Sequence, residues 1–251
     1  FGYKDIDTWH QAALGMVDGH IYSRNSNPTV RAFEDKCKEL ENAEAATSFS
    51  SGMAAISNSL LTFLKSGDRI VSIKDSYGGT NIIFNEFLPP LNIDVSLCET
   101  HDDEQIKNEI AKGCQILYLE TPTNPTVKIT DIKKLSAEAK KVGALVIVDN
   151  TFATPINQHP LTLGADIVLH SASKYLGGHA DALGGVICGN KELIKKVNHY
   201  REINGATLSP MDAYSLLRGM KTLKLRIEKQ NESAMIIAKH LQKHPMVEQV
   251  N

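Results

Sequence analysis

The segment HSASKYLGGHADALGG, residues 170–185, places a lysine in a loop of small residues. Lys174 follows an apolar run at residues 166–169 that has the composition of a buried strand. Enclosure between apolar walls disfavours the charged form of a lysine, and an uncharged amine can attack a carbonyl to form a Schiff base. Lys174 is therefore a candidate nucleophile. The alternative is a solvated surface lysine with a charge partner.

Other polar groups also follow apolar runs. Asp149 comes directly after residues 144–148, and Glu120 follows the run at 115–119. In open α/β sheets, ligands bind in the crevice outside the carboxyl ends of the strands. We therefore expect Asp149 and Lys174 to share one crevice.

Glycine and hydroxyl residues at the start of a helix predict an anion site. Gly52 and Met53 open a helical pattern at residues 52–65, where free backbone N–H groups and the helix dipole favour phosphate. Ser171 and Ser173 could donate hydroxyl hydrogen bonds to the same anion. The alternatives are an ordinary N-cap by the serines before Gly52, and turn chemistry for the other two serines.

Two loops contain a tyrosine. In the segment YSRNSNPT, Arg24 stands near Tyr22 and suits bidentate recognition of a phosphate. In DSYGGT, Tyr77 could stack on a flat ring while the glycines allow a close approach. The alternatives are a polar turn before a helix and a plain strand-to-helix turn.

One ligand would satisfy all of these groups. It has an aldehyde for Lys174, a basic ring nitrogen for Asp149, a phosphate for the helix start and a flat face for Tyr77. Pyridoxal 5′-phosphate (PLP) has each of these features. A Rossmann-type nucleotide binder would need a GxGxxG motif, and the sequence has none.

Strand and helix patterns alternate along the chain. Apolar runs predict strands at 69–73, 93–97, 115–119, 144–148, 166–169 and 185–188. Helical patterns fall near 30–43, 52–65, 79–87, 102–111 and 131–142. A long helical pattern then runs from Ser209 to about Lys243, with Gly219 as its weak point. The alternation predicts an α/β fold with a mostly parallel sheet flanked by helices.

Composition argues against several classes of protein. The chain of 251 residues has a formal net charge of −2, which favours neither nucleic acid nor an anionic membrane as a partner. Its four cysteines form no CxxC pair, so we expect neither disulfides nor a metal site. No apolar run approaches the ~18 residues of a membrane span, and the first residues do not resemble a signal peptide. These features predict a cytoplasmic location.

In combination the motifs resemble the Cys/Met-metabolism family of PLP enzymes, the group of cystathionine γ-synthase, cystathionine γ-lyase and methionine γ-lyase. The matching segments cover nearly the whole chain in the family's order. They are YSRNSNPT, SSGMAA, DSYGGT, ETPTNP, IVDNTFATP, HSASKYLGGHADALGG and SPMDAYSLLRGMKTLKLR.

The resemblance implies roles for individual residues. Lys174 would carry the Schiff base and then remove the α proton of the substrate. Asp149 would pair with the ring nitrogen, and Tyr77 would stack on the ring and act as an acid or base. The other cofactor contacts that the resemblance implies are Gly52, Met53, Ser171 and Ser173 at the phosphate, Asn124 and Thr151 at the ring, and Tyr22 and Arg24 at the phosphate of a neighbouring subunit's cofactor.

The resemblance also implies an architecture. The fold would be the large domain of the PLP-transferases, which is aspartate aminotransferase-like and called fold type I, in a homodimer or homotetramer with shared active sites. Residues 1–48 would reach a neighbouring subunit, residues 49–208 would bind PLP, and residues 209–251 would form a long helix leading to a C-terminal domain. That domain carries the family's substrate-carboxylate arginine, and we expect it beyond residue 251.

The implied function is sulfur amino acid metabolism at Cγ. Trans-sulfuration by a cystathionine γ-synthase or γ-lyase, in methionine biosynthesis or cysteine metabolism, leads the alternatives. An O-acylhomoserine sulfhydrylase and a methionine γ-lyase follow, and the turn Tyr77-Gly78-Gly79 lacks the cysteine that well-known methionine γ-lyases have there. A non-catalytic PLP-binding homologue is the alternative of another class.

Overall fold

A computed structural model describes residues 1–250 of the chain. The seven strands in this range are β1 Ala45–Phe49, β2 Arg69–Ile73, β3 Asp94–Cys98, β4 Ile116–Glu120, β5 Leu145–Asp149, β6 Ile167–Ser171 and β7 Gly185–Gly189. The α-helices are α1 Ile6–Ala13, α2 Pro28–Leu40, α3 Gly52–Phe63, α4 Gly78–Ile82, α5 Asp103–Ala111, α6 Ile132–Lys141, α7 Thr154–Asn157, α8 Lys191–Asn204, α9 Pro210–Met220 and α10 Leu223–Leu241. A π-helical turn, Ile83–Phe87, continues α4.

The seven strands form one sheet in the order β1-β7-β6-β5-β4-β2-β3. Strands β2 to β6 are parallel to one another, whereas β7 runs antiparallel to both β6 and β1. The prediction of a mostly parallel sheet flanked by helices is confirmed. Because β4, β5 and β6 are parallel neighbours, their carboxyl ends meet at one edge.

Apolar side chains cover both faces of the sheet. Helices α3 and α8 pack on one face against alternate residues of the strands, including Ile187 of β7. On the other face, α5 and α6 cover the centre, and α2, α9 and α10 cover the end that contains β7. Every residue of β4 is buried, as expected for a strand enclosed on both sides.

The structure differs from the elements expected from the sequence in two places. The strand β1 was not predicted, and it spans residues 48 and 49, between which the division of the chain stays a prediction. The long helix expected from Ser209 onward is two helices, α9 and α10, separated by Lys221 and Thr222. The break lies beside Gly219, where a Cβ atom would stand 1.9 Å from the carbonyl oxygen of Gly177.

All four cysteines are buried and form no disulfide. Within residues 1–250, no helix has the length and apolar character needed to cross a bilayer.

Candidate active site

A cavity of about 700 Å³ lies beyond the carboxyl ends of β4, β5 and β6. This volume is in the usual range for a small-molecule site. Nine of the eleven residues that the sequence analysis assigned to the cofactor line it. They are Gly52, Met53, Tyr77, Asn124, Asp149, Thr151, Ser171, Ser173 and Lys174.

Lys174 lies in a tight loop between β6 and β7. Its backbone N–H donates to the carbonyl of Ser171, and its carbonyl accepts from Gly178 at 2.7 Å. The lysine is exposed, as are its neighbours at the cavity mouth, Gly178 to Asp181. The expectation that apolar walls enclose this lysine is therefore wrong for this chain, because the loop after it leaves the mouth open to solvent.

The start of α3 forms one side of the cavity. The hydroxyl of Ser51 caps the helix by accepting from the N–H of Ala54 at 3.1 Å, which leaves the N–H groups of Gly52 and Met53 without an intrahelical acceptor. A Cβ atom on Gly52 would lie 2.6 Å from the Cβ of Ser171. Only glycine therefore lets the helix start approach Ser171 so closely.

Asp149 ends β5 and is buried. Its Oδ1 accepts from the backbone N–H of Thr151 at 2.9 Å, and the hydroxyl of Thr151 accepts from the N–H of Ser171 at 2.8 Å. This chain of hydrogen bonds fixes the ends of β5 and β6 relative to each other. Burial raises the pKa of Asp149, although the hydrogen bonds from Thr151 oppose that shift.

A second carboxylate lies beside Asp149. Glu120 ends β4, is buried and lines the cavity. Its Oε2 accepts from the backbone N–H of Tyr77 at 2.7 Å, and its Oε1 accepts from that of Asn124 at 3.2 Å. Burial, followed by the repulsion of Asp149, raises the pKa of Glu120 to about 8. Glu120 follows an apolar run in the sequence, but no motif there indicates a role for it.

Three other residues expected to contact the cofactor lie in different parts of the structure. The hydroxyl of Ser173 exchanges hydrogen bonds with the backbone of Gly184, at 3.3 Å and 3.0 Å. Tyr22 and Arg24 lie outside the cavity on an exposed loop, with the guanidinium carbon 5.2 Å from the centre of the tyrosine ring. Arg24 donates to the carbonyl of Glu202 in α8 at 2.5 Å. The chain by itself thus does not bring these two residues to the cavity.

Arg226 of α10 also lines the cavity, and the sequence analysis had not chosen it. Its guanidinium donates to the carbonyls of Tyr175 at 2.9 Å and Gly219 at 3.1 Å. It covers Gly178, where a Cβ atom would stand 2.3 Å from the guanidinium carbon. Arg226 therefore supports the lysine loop. No local sequence pattern signals this contact, since it joins residues about fifty positions apart.

Comparison with known proteins agrees with this geometry. The family model described as Cys/Met metabolism PLP-dependent enzyme matches residues 1–251. A protein named cystathionine gamma-lyase from Bacillus subtilis is 46% identical over 97% of this chain. A protein named L-methionine gamma-lyase from Fusobacterium nucleatum is 45% identical over 92% of it. A crystal structure of cystathionine gamma synthase from Xanthomonas oryzae in complex with cystathionine matches 99% of the chain, with a TM-score of 0.90 and 35% identity.

The chain spans 64% of the B. subtilis relative, 60% of the F. nucleatum relative and 62% of the X. oryzae structure. The resemblance inferred from the motifs is confirmed, because the family model extends over the whole sequence and the fold agrees with it. The chain belongs to the family of Cys/Met metabolism PLP-dependent enzymes.

Proposed function

We propose that the protein is an enzyme that uses PLP to eliminate or replace a group on Cγ of a sulfur-containing or O-acylated amino acid. The observation that carries the proposal is that Lys174 and Asp149 line one cavity. PLP chemistry requires a lysine at the aldehyde and a carboxylate at the ring nitrogen, which lie on opposite sides of the pyridine ring.

The acidic side of the cavity fits a protonated ring nitrogen. Asp149 and Glu120 are both buried, and neither forms an ion pair with another residue between 1 and 250. Two buried carboxyl groups without an ion-pair partner favour a cationic ligand, because a cation stabilises their ionised forms. A pyridinium nitrogen facing Asp149 would supply that positive charge.

The start of α3 fits a phosphate. The N–H groups of Gly52 and Met53 and the positive end of the α3 dipole favour an anion there. Ser171 lies against this helix start and lines the same cavity. Tyr77 is 43% exposed at the cavity mouth, where its ring could cover one face of a flat ligand.

When it is bound, PLP supplies an aldehyde that captures amines and a ring that accepts the electrons of a bond broken at Cα. The Nζ of Lys174 would hold the aldehyde and, once a substrate amine displaces it, would accept the proton from Cα. Asp149 would keep the proton on the ring nitrogen. Tyr77 would carry a second proton near Cβ and Cγ, where the group leaves. Each positioned acid or base contributes about 10²–10⁴-fold to the rate.

Shared active sites belong to the same proposal. Tyr22 and Arg24 are exposed, lie on one loop and do not line their own chain's cavity, which supports a contact with the phosphate of a neighbouring subunit. The division into residues 1–48, 49–208 and 209–251 stays a prediction. A cytoplasmic location is supported by four buried, unpaired cysteines, which suit a reducing compartment.

Cofactor binding tests the proposal first. We expect the purified protein to acquire the visible absorption of covalently bound PLP, and Lys174→Ala to lose it. Lys195→Ala is the matched control, because this lysine is exposed on α8 away from the cavity. Covalent PLP that persists in Lys174→Ala would refute the assignment.

Product analysis then separates the reactions. Cystathionine alone tests γ-elimination, O-acylhomoserine with cysteine tests γ-replacement, and methionine tests the third activity among the relatives' names. The relatives named for these activities have similar identities to this chain, so similarity does not choose among them. PLP binding without turnover of any of these substrates would support a non-catalytic homologue instead.

A further inference from the structure

Glu120 connects two loops that start at different strands. Tyr77 lies in the loop between β2 and α4, and Asn124 lies in the loop after β4. One oxygen of the carboxylate accepts the backbone N–H of Tyr77, and the other accepts that of Asn124. Both residues line the cavity. No other side chain hydrogen-bonds to both of these amides within residues 1–250.

We propose that Glu120 is a positioning residue that sets where Tyr77 and Asn124 stand relative to the cofactor. This inference rests on the proposed function and adds to that function the group that holds Tyr77 and Asn124 in place. Glu120 acts through two backbone amides and not through its own contact with the substrate.

The chemistry of the side chain explains why a carboxylate stands here. Both oxygens of a carboxyl group have lone pairs that can accept, whether the group is ionised or protonated, so it can accept both N–H groups. A glutamine would turn its NH₂ group toward one of them and would lose that hydrogen bond. An aspartate is one methylene shorter and could not reach both loops from the same backbone position.

Burying the carboxyl group of Glu120 is energetically unfavourable, which supports a functional role for this residue. Glu120 is 5% exposed and lies beside buried Asp149, and both surroundings disfavour its ionised form. A neutral side chain would be easier to bury at the end of an internal strand. Where a chain keeps a locally unfavourable group, a functional reason is the first explanation to test.

An ion pair also connects the same two loops, farther from the cavity. Lys128 donates to Asp75 at 2.8 Å, and Thr100 also donates to Asp75. This outer ion pair is partly exposed. It holds the loops together at their surface but contacts neither the Tyr77 amide nor the Asn124 amide. The positions of these two residues therefore depend on the hydrogen bonds to Glu120.

Amide exchange in the cofactor-free protein is the direct test. We expect Glu120→Gln to speed hydrogen–deuterium exchange about 10-fold or more at the Tyr77 amide, the Asn124 amide or both, because an NH₂ group that cannot accept replaces one of the two acceptor oxygens. Ser72→Ala is the matched control. Ser72 is equally buried in the neighbouring strand and donates to the carbonyl of Tyr118 at 2.9 Å, without touching either loop.

The affinity for PLP is the second readout. We expect Glu120→Gln to weaken PLP binding about 10-fold, with Glu120→Asp between it and the unsubstituted protein, and Ser72→Ala unchanged. If Glu120→Gln does not fold, Glu120→Asp carries the test, because its carboxylate can still satisfy one of the two amides. At least one amide should then exchange faster.

Unchanged exchange at both amides in Glu120→Gln and Glu120→Asp would overturn the inference. Equal acceleration in Ser72→Ala would overturn it too, since the effect would then be general loosening of the sheet. If the unsubstituted protein binds no PLP, the proposed function fails, whereas the exchange result still decides whether Glu120 positions the two loops.

Discussion

Replacing Gly52 by alanine tests the packing at the proposed phosphate site. The new Cβ would stand 2.6 Å from the Cβ and 2.7 Å from the Oγ of Ser171. Carbon atoms pack best at about 3.5–4.0 Å, so the start of α3 and the end of β6 must separate by roughly 1 Å. Overpacking of this kind costs about 1–3 kcal/mol of unfolding free energy.

The same displacement should weaken PLP binding. Gly52 and Ser171 lie on the two elements that we propose to hold the phosphate, and moving them apart lengthens hydrogen bonds that both must make to one anion. We expect the dissociation constant for PLP to rise about tenfold, which corresponds to ~1.4 kcal/mol. Equilibrium unfolding in urea and a fluorescence titration with PLP measure the two effects separately.

Gly78→Ala is the matched control for this substitution. Gly78 also begins a helix, α4, near the cavity, but a Cβ atom there meets no atom within 4 Å. Its stability should therefore change by less than about 1 kcal/mol. If Gly52→Ala binds PLP as tightly as the unsubstituted protein does, the start of α3 does not hold the phosphate.

Three further substitutions have measurable consequences. Glu41→Ala removes the carboxyl group that hydrogen-bonds the buried His170, 2.6 Å away, and should cost about 1–3 kcal/mol in urea unfolding; a loss below about 0.5 kcal/mol would contradict a stabilising role for this hydrogen bond. Arg226→Met removes the donors to the carbonyls of the lysine loop and should cost about 1–3 kcal/mol, with faster amide exchange at residues 174–178; unchanged exchange there would contradict the supporting role of this arginine. Burial raises the pKa of Glu120 above its unfolded value, to about 8, so the folded cofactor-free protein keeps a proton that the unfolded chain has lost. Its stability should therefore fall as the pH rises from about 4.5 to 8, by at most about 1.4 kcal/mol per pH unit, and Glu120→Gln should fall less steeply in the same window.

The central part of the fold could be predicted from the sequence because it is built from local patterns. The predicted bounds of β2 to β7 each lie within about two residues of the observed bounds, and the buried parallel strands β4 to β6 give the clearest signal because they are apolar on both faces. The strand β1 has the sequence AATSF, which is short and only weakly apolar. Its pairing with β7 comes from contacts more than a hundred residues apart, and these have no local signature.

The site could be predicted for the same reason. Asp149 and Ser171 end their strands, and parallel strands bring their carboxyl ends together. The exposure of Lys174 could not be read from its neighbours, because it depends on the path of the loop after it. Likewise Arg226 reaches the cavity only through the packing of α10 against that loop.

The contact between Gly177 and Gly219 has a mechanical consequence. A Cβ atom on Gly219 would stand 1.9 Å from the Gly177 carbonyl oxygen, so no atom fits between the backbone of α9 and the turn that follows Lys174. Closely packed backbones have little compressibility, and neither can shift without pushing the other. The backbone of the turn after Lys174 and the end of α9 therefore move together, so a tilt of α9 shifts the backbone from which the Lys174 side chain extends.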